Sequence, residues 1–225
     1  MRTHPRVAIS VALLSAVLLS GITSCSSKTA TGGAVGAAGG AVIGGVIGNQ
    51  TGSTARGAII GAAVGGVAGS IIGHQMDQQA KEIQQNIPGA VVERVGEGIQ
   101  VTFPSGILFD FDSDVVRGDA AANLRSLASS LDRYKDSNVL IVGHTDAVGA
   151  DTYNQDLSYR RAQSAARYLE SRGIEQDVAT VGRGEREPIA TNDSDSGRAR
   201  NRRIEVAIYA NDELRERARR EAAGR

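Results

Sequence analysis

The chain has 225 residues, with 25 basic side chains against 25 acidic ones, so its formal charge is zero. A nucleic-acid binder normally shows a basic face, and this balance argues against a nucleic-acid partner. There is no tryptophan and aromatics make up 4%, so any packed domain must lean on Val, Ile, Leu and Ala.

Arg2, His4 and Arg6 precede an apolar run over residues 7–19, followed by Ser20-Gly21-Ile22-Thr23-Ser24-Cys25. A charged start, a short apolar stretch and small residues before a cut mark a secretory signal over residues 1–24. The run falls short of the ~20 apolar residues a spanning helix needs. Ile22-Thr23-Ser24-Cys25 resembles the bacterial lipobox, which implies that Cys25 is acylated, with three chains on the mature residue. Each buried CH2 contributes about 0.8 kcal/mol and a stable anchor takes more than one chain. Cys25 is the only cysteine, so no internal disulfide can form. Residues 25–31 then serve as the lipidated N-terminus and a short linker. Ser26 stands where an Asp usually keeps bacterial lipoproteins at the inner membrane, so the resemblance implies the outer membrane.

Over residues 32–73 glycines recur every four residues: Gly32, Gly36, Gly40, Gly44 and Gly48, then Gly57, Gly61, Gly65, Gly69 and Gly73. On a helix this spacing aligns them in one stripe, with Val35, Val42, Ile43, Val46 and Ile47 beside it. Such stripes let helix backbones approach closely in lipid, whereas in water interior glycines cost about 1 kcal/mol each relative to Ala. Residues 49–56 read as the turn between two antiparallel arms, each about 25 Å long as a helix. A membrane-associated helical hairpin is therefore expected, similar to the glycine-zipper segments of bacterial envelope lipoproteins. A low-complexity Gly/Ala linker and self-association of the arms into an oligomer remain open alternatives. Residues 74–89, polar and ended by Pro88-Gly89, read as a helical spacer.

Strand-like patterns follow at residues 90–95 and 99–103, joined by the hairpin signal Gly96-Glu97-Gly98. Asp119 opens a helix with Leu124, Leu127, Ala128 and Leu131 on one face. Residues 138–142 form a strand, 151–171 a second helix closed by Gly173, and 178–181 and 204–209 two more strands. The expected fold class is α+β: a small mixed sheet with two main helices on one face, spanning residues 90–210. Residues 211–225, a mixed-charge tail, are expected to be frayed and solvated.

Five motifs in this region carry a specific resemblance. They are Leu108-Phe109-Asp110-Phe111-Asp112-Ser113; Gly143-His144-Thr145-Asp146 with Gly149; Tyr153-Asn154 with Leu157-Ser158 and Arg161-Ala162; Gly182, Gly184-Glu185 and Pro188-Ile189-Ala190; and Gly197-Arg198 with Asn201-Arg202-Arg203-Ile204-Glu205. In order and spacing they resemble the OmpA C-terminal-like domain, over roughly residues 95 to 210. The resemblance implies a domain that binds peptidoglycan without cleaving it, its handle the diaminopimelate of the stem peptide. Carried over, Asp146 pairs with the ligand ammonium and Arg161 with its carboxylate, for which a planar guanidinium fork is matched. Asn154, one helix face with Arg161, hydrogen-bonds the peptide; Phe111 and Asp112 line the wall of the pocket and Arg202 its far side. Taken singly, Asp146 reads as a loop cap and Arg161 as a solvated helix charge.

The remaining motifs are weak. Asp110-Phe111-Asp112-Ser113-Asp114 imitates the start of a calcium loop, but Val115 and Ala121 stand where that loop wants Gly and Glu. His144 reads as a strand-end residue with a structural hydrogen bond. No HExxH or GxSxG occurs and Gly182-Arg183-Gly184 is no phosphate loop, so neither enzyme, metal nor cofactor is expected. The expected whole is an outer-membrane lipoprotein, its OmpA-like domain in the periplasm, tethering membrane to wall. The alternative is a glycine-zipper oligomer, channel or envelope-assembly factor that uses wall binding only for positioning.

Overall fold

The computed structural model describes residues 52–118 and 120–224. The signal, Cys25, the first glycine run and Asp119 lie outside the described residues. Five strands form one sheet: β1 (Val91–Val95), β2 (Gly98–Pro104), β3 (Ser137–Gly143), β4 (Val178–Gly182) and β5 (Arg203–Ala210), in the order β1-β2-β5-β3-β4. β5 runs antiparallel to both β2 and β3, while β3 and β4 are parallel. Their connection is the long helix Asp151–Glu170, as a parallel pair requires a crossover.

Side chains alternate across the sheet. Ile99, Val101, Phe103, Val139, Ile141, Ile204, Val206 and Ile208 enter one core cluster; Leu140, Val142, Ala207 and Tyr209 enter another on the opposite face. The first is covered as expected by the two main helices, Ala121–Arg133 and Asp151–Glu170, through Leu124, Leu127, Leu131, Ala162, Ala165 and Leu169. Burial on both faces explains why every residue of β5 is buried. Where helix Asp151–Glu170 crosses β3 the approach is close: a Cβ at Gly143 would stand 2.0 Å from the Ser158 carbonyl oxygen.

The described part of the glycine-rich segment, from residue 52 onward, departs from the expected arm. It forms two helices, α1 (Thr54–Gly61) and α2 (Gly66–Asn86), and both pack on the domain. Counting onward, α3 is the single turn Ser105–Leu108, α4 is Ala121–Arg133, α5 Asp151–Glu170, α6 Asp195–Asn201 and α7 Asp212–Ala223. α1 lies on the second face of the sheet, with Ala55, Ala58, Ile59 and Ala62 against Leu140, Val142, Ala207 and Tyr209. The helix breaks because Gly65 and Gly66 take φ of 71° and 62°, a region glycine enters without penalty. Glu97, at the tip of the β1–β2 hairpin, fixes the break by accepting from Val64 N at 2.8 Å and Gly65 N at 2.7 Å. A carboxylate there also complements the positive end of α2. Gly69 makes room for the same side chain, since a Cβ would stand 2.1 Å from Glu97 Oε1. The second glycine run thus serves packing against the hairpin, in place of a helix-long seam.

Residues 74–86 are likewise no free spacer: they continue α2, whose Ile72, Met76, Ala80 and Ile83 enter the main core. The C-terminal segment is not frayed either. Asn211 caps α7 by accepting from Leu214 N at 2.9 Å, and Leu214 and Ala218 are buried in the same core as α2. Ser53 and Thr54, read as part of a turn, instead begin α1, with Ser53 as its N-cap. Among the described residues no helix is long and apolar enough to cross a membrane.

Candidate functional site

β2, β3 and β4 end, and β5 begins, at one edge of the sheet, since Gly143 pairs with Ile204 and Gly182, and Pro104 with Arg203. All the residues expected to bind ligand issue from this edge. Asp112 and Phe111 lie on the loop beyond β2 and α3, Asp146 follows β3, Arg202 precedes β5, and Asn154 and Arg161 lie on α5.

Asp146 is 8% exposed. Its Oδ1 accepts from Val148 N at 3.1 Å, and its Oδ2 from Arg202 Nη1 at 2.5 Å. Asn154 Nδ2 donates to the Asp146 carbonyl oxygen at 3.3 Å and to Glu185 Oε2 at 2.7 Å. Its amide nitrogen therefore holds the Asp146 loop against the loop that follows β4. Thr145 N donates to the Gly184 carbonyl at 2.9 Å, tying the same two loops by their backbones.

Arg161 is 4% exposed. Its Nε donates to the Ser113 carbonyl at 2.8 Å and its Nη2 to the Asp110 carbonyl at 3.4 Å. Its guanidinium carbon lies 5.4 Å from the centre of the Phe109 ring, within range of a cation–π contact. Burial lowers its pKa from the usual guanidinium range, with Tyr153 and Asp112 acting to raise it and Arg202 adding to the lowering. The loop of residues 110–118 is pinned at its ends by a bridge between Phe109 and Val116 and by Arg117 N donating to the Leu108 carbonyl. Its carbonyls converge on Arg161, so the calcium-like run of acidic residues is organised around a guanidinium. Among the described residues no group of three or more His, Cys, Asp or Glu stands together to hold a metal ion.

Asp112 has φ of 55°, a left-handed conformation that Asp tolerates better than most residues. It accepts a hydrogen bond from the Tyr153 hydroxyl, which raises the tyrosine pKa. Phe111, expected on a pocket wall, is 97% exposed. The aromatic ring packed at the site is Phe109, two residues earlier; the chain turns at Phe111 and Asp112, and the turn leaves Phe111 to solvent.

Glu185 belongs to a motif but stands out only once the fold brings it to Asn154. Beneath the site lies a second charged group. Arg203 Nε donates to Glu205 Oε1 at 2.8 Å, and Ser53 Oγ donates to Glu205 Oε2 at 3.0 Å. His144 is fully buried, its Nε2 3.7 Å from Glu205 Oε2, and burial lowers its pKa from 6.5. The ring makes only this long contact with Glu205, while the His144 backbone N–H donates to the Arg203 carbonyl at 2.9 Å, so the residue sits at the strand end as expected.

A mixed five-stranded sheet with two main helices on one face, and a ligand edge built from the β2, β3, β4 and β5 termini, defines an α+β domain of the OmpA type. The comparisons agree: residues 108–202 match the OmpA family, and residues 1–77 match the YMGG-like Gly-zipper. Residues 108–202 are thus an OmpA family domain. It is 40% identical over 105 residues to outer membrane porin F of Pseudomonas fluorescens, covering 46% of this chain and 32% of that one. It is 32% identical over 136 residues to the probable lipoprotein YiaD of Escherichia coli K12, covering 59% of this chain and 62% of the relative. The chain thus spans from about a third to under two thirds of these relatives. Among solved structures, the cell wall anchor of the T6SS from Pseudomonas aeruginosa is 33% identical, with TM-score 0.52 over 60% of this chain and 97% of that one. A MotB-like protein from Desulfovibrio vulgaris is 27% identical, with TM-score 0.56 over 63% and 95%.

Proposed function

We propose that this protein is a non-catalytic lipoprotein of the outer membrane that binds peptidoglycan through the diaminopimelate of stem peptides and so tethers membrane to wall. The observation that carries the reading is the gathering of Asp146, Asn154, Arg161, Asp112 and Arg202 at one sheet edge. Similarity to a solved cell wall anchor supports a wall-associated role in the envelope. In this reading Asp146 takes the ammonium of the ligand and Arg161 its carboxylate. Asn154 acts mainly by holding the Asp146 loop, and exposed Phe111 covers the ligand from the solvent side. Charge-assisted hydrogen bonds contribute about 1.5–3 kcal/mol each, so single-site binding is weak and reversible. Confinement by the anchor beside a repetitive lattice makes that sufficient.

Two outcomes test it. The full chain should co-sediment with diaminopimelate-type peptidoglycan, and Asp146→Asn and Arg161→Lys should each remove most of that binding while the circular dichroism spectrum stays native. Lysine is the replacement at 161 because truncation would also strip the Ser113 and Asp110 carbonyls of their donor. Retained binding in both folded variants would refute the site. For the anchor, Cys25→Ser should shift the protein from the membrane to the soluble fraction on cell fractionation. Unchanged membrane recovery would transfer anchoring to the segment around the glycine repeats.

A further inference from the structure

The carboxylate assigned to the ligand ammonium already holds a cation. Asp146 Oδ2 accepts from Arg202 Nη1 at 2.5 Å, and the Arg202 side chain is 39% exposed where that of Asp146 is 12% exposed. An arriving ammonium reaches Asp146 only by taking the place of Arg202 or crowding it. Arg161, in contrast, is buried and held to two backbone carbonyls, and it senses Arg202 as a like charge. An anion placed between two such guanidiniums relieves the repulsion, so the pair can receive a carboxylate.

We infer that Arg202 is a specificity-determining residue that changes partners on binding, leaving Asp146 for the carboxylate of a zwitterionic ligand end. This inference rests on the wall-binding reading and deepens it. A zwitterion supplies an ammonium for Asp146 and a carboxylate for Arg202, so the number of ion pairs is conserved or increased. A plain ammonium, such as the side-chain end of a stem lysine, displaces Arg202 and returns nothing to it. The site therefore selects diaminopimelate over lysine by withholding Asp146 from ligands that bring no carboxylate. Discrimination of this kind is a difference between two affinities, and one charge-assisted hydrogen bond is worth about tenfold.

The test is calorimetric titration of the full chain with two soluble muropeptides that differ only in ending in diaminopimelate or in lysine. Wild type is expected to prefer the first by at least about tenfold. In Arg202→Gln the affinity for the diaminopimelate muropeptide should fall, and the lysine muropeptide, no longer competing with a guanidinium, should bind at least as well as to wild type. The preference should shrink by about tenfold. A preference unchanged in Arg202→Gln, or both affinities falling together, would overturn the exchange. Arg202→Lys keeps the charge and is expected to retain part of the preference; a loss as complete as that of the glutamine variant would mark a disturbed loop and also count against the exchange. Failure of wild type to bind the diaminopimelate muropeptide at all would sink the wall-binding reading itself, a result distinct from binding with intact preference in the variant.

Discussion

A fragment starting at residue 88 is expected to lose most of its stability relative to the full chain, even though it retains the whole sheet and the ligand edge. Ile59, Ile72, Met76, Ile83 and Ile87 are each at most 1% exposed, and all five would be removed. Full burial of such a side chain contributes about 1.5–3 kcal/mol, an upper figure given that unfolded chains are partly compact. Together they amount to something on the order of 10 kcal/mol, comparable with the entire stability of an ordinary domain. The cut also uncovers Leu140, Val142, Ala207 and Tyr209 beneath α1, a contiguous apolar patch of the kind that drives association. Urea unfolding followed by circular dichroism should show a midpoint close to zero denaturant, or no cooperative transition, for residues 88–225. In the full chain Ile59→Ala isolates the contribution of α1 and should cost about 2–5 kcal/mol. Equal midpoints for fragment and full chain would mean that α1 and α2 add nothing to the fold. The consequence for function is that the edge proposed to bind the wall and the second glycine run belong to one folded body.

That consequence is invisible in the sequence, and the reason is physical. β3 and β5 were legible because their runs are short, rich in β-branched residues and bounded by polar punctuation, and β1–β2 because Gly96-Glu97-Gly98 sets a tight turn. α5 was legible from Leu157, Ala162, Ala165 and Leu169 recurring on one face. Glycine at every fourth position is different, since the same stripe suits a helix seam, a close approach of another side chain, or a break. Gly65 breaks the helix and Gly69 admits Glu97, and what decides between these uses is a carboxylate about thirty residues away in the chain. In α7 Leu214 and Ala218 are buried in the core and Ala222 packs against it, all among charged neighbours, too sparse a pattern to outweigh the apparent polarity. At the site, residue types were legible and partners were not. Nothing in the spacing ties Arg202 to Asp146 or Asn154 to Glu185, because strand order brings those loops together.

Acid is expected to unfold the protein through the group beneath the site, and Glu205→Ala is expected to remove much of that sensitivity at a high cost near neutrality. Burial alone would raise the Glu205 carboxyl, but His144 and Arg203 outweigh it and hold the pKa down to about 2, from an ordinary 4.5. The folded state thus binds fewer protons than the unfolded one between these values. Its stabilisation is complete above about 4.5 and drains as the pH falls toward 2, by about 3 kcal/mol in all. His144 adds to the acid side: its pKa is lowered by burial, so the unfolded state takes up the proton first and stability begins to fall below about 6.5. Near pH 7, Glu205→Ala strips Arg203, itself 1% exposed, of its carboxylate, and breaking a buried pair costs about 3–5 kcal/mol. It also deprives the Ser53 hydroxyl of its Glu205 acceptor, loosening the start of α1. Unfolding free energies from urea titrations at pH 7, 4.5 and 2.5 separate these effects. Wild type should lose stability in both intervals, whereas Glu205→Ala should start lower and decline far less between pH 4.5 and 2.5. A variant that matches wild type at pH 7 would mean that Arg203 is satisfied by the carbonyls of Asn201 and Glu187 alone. A variant with an undiminished acid limb would assign the acid sensitivity to other carboxylates, among which Glu187, bonded to Thr54, stands at the same junction between α1 and the sheet.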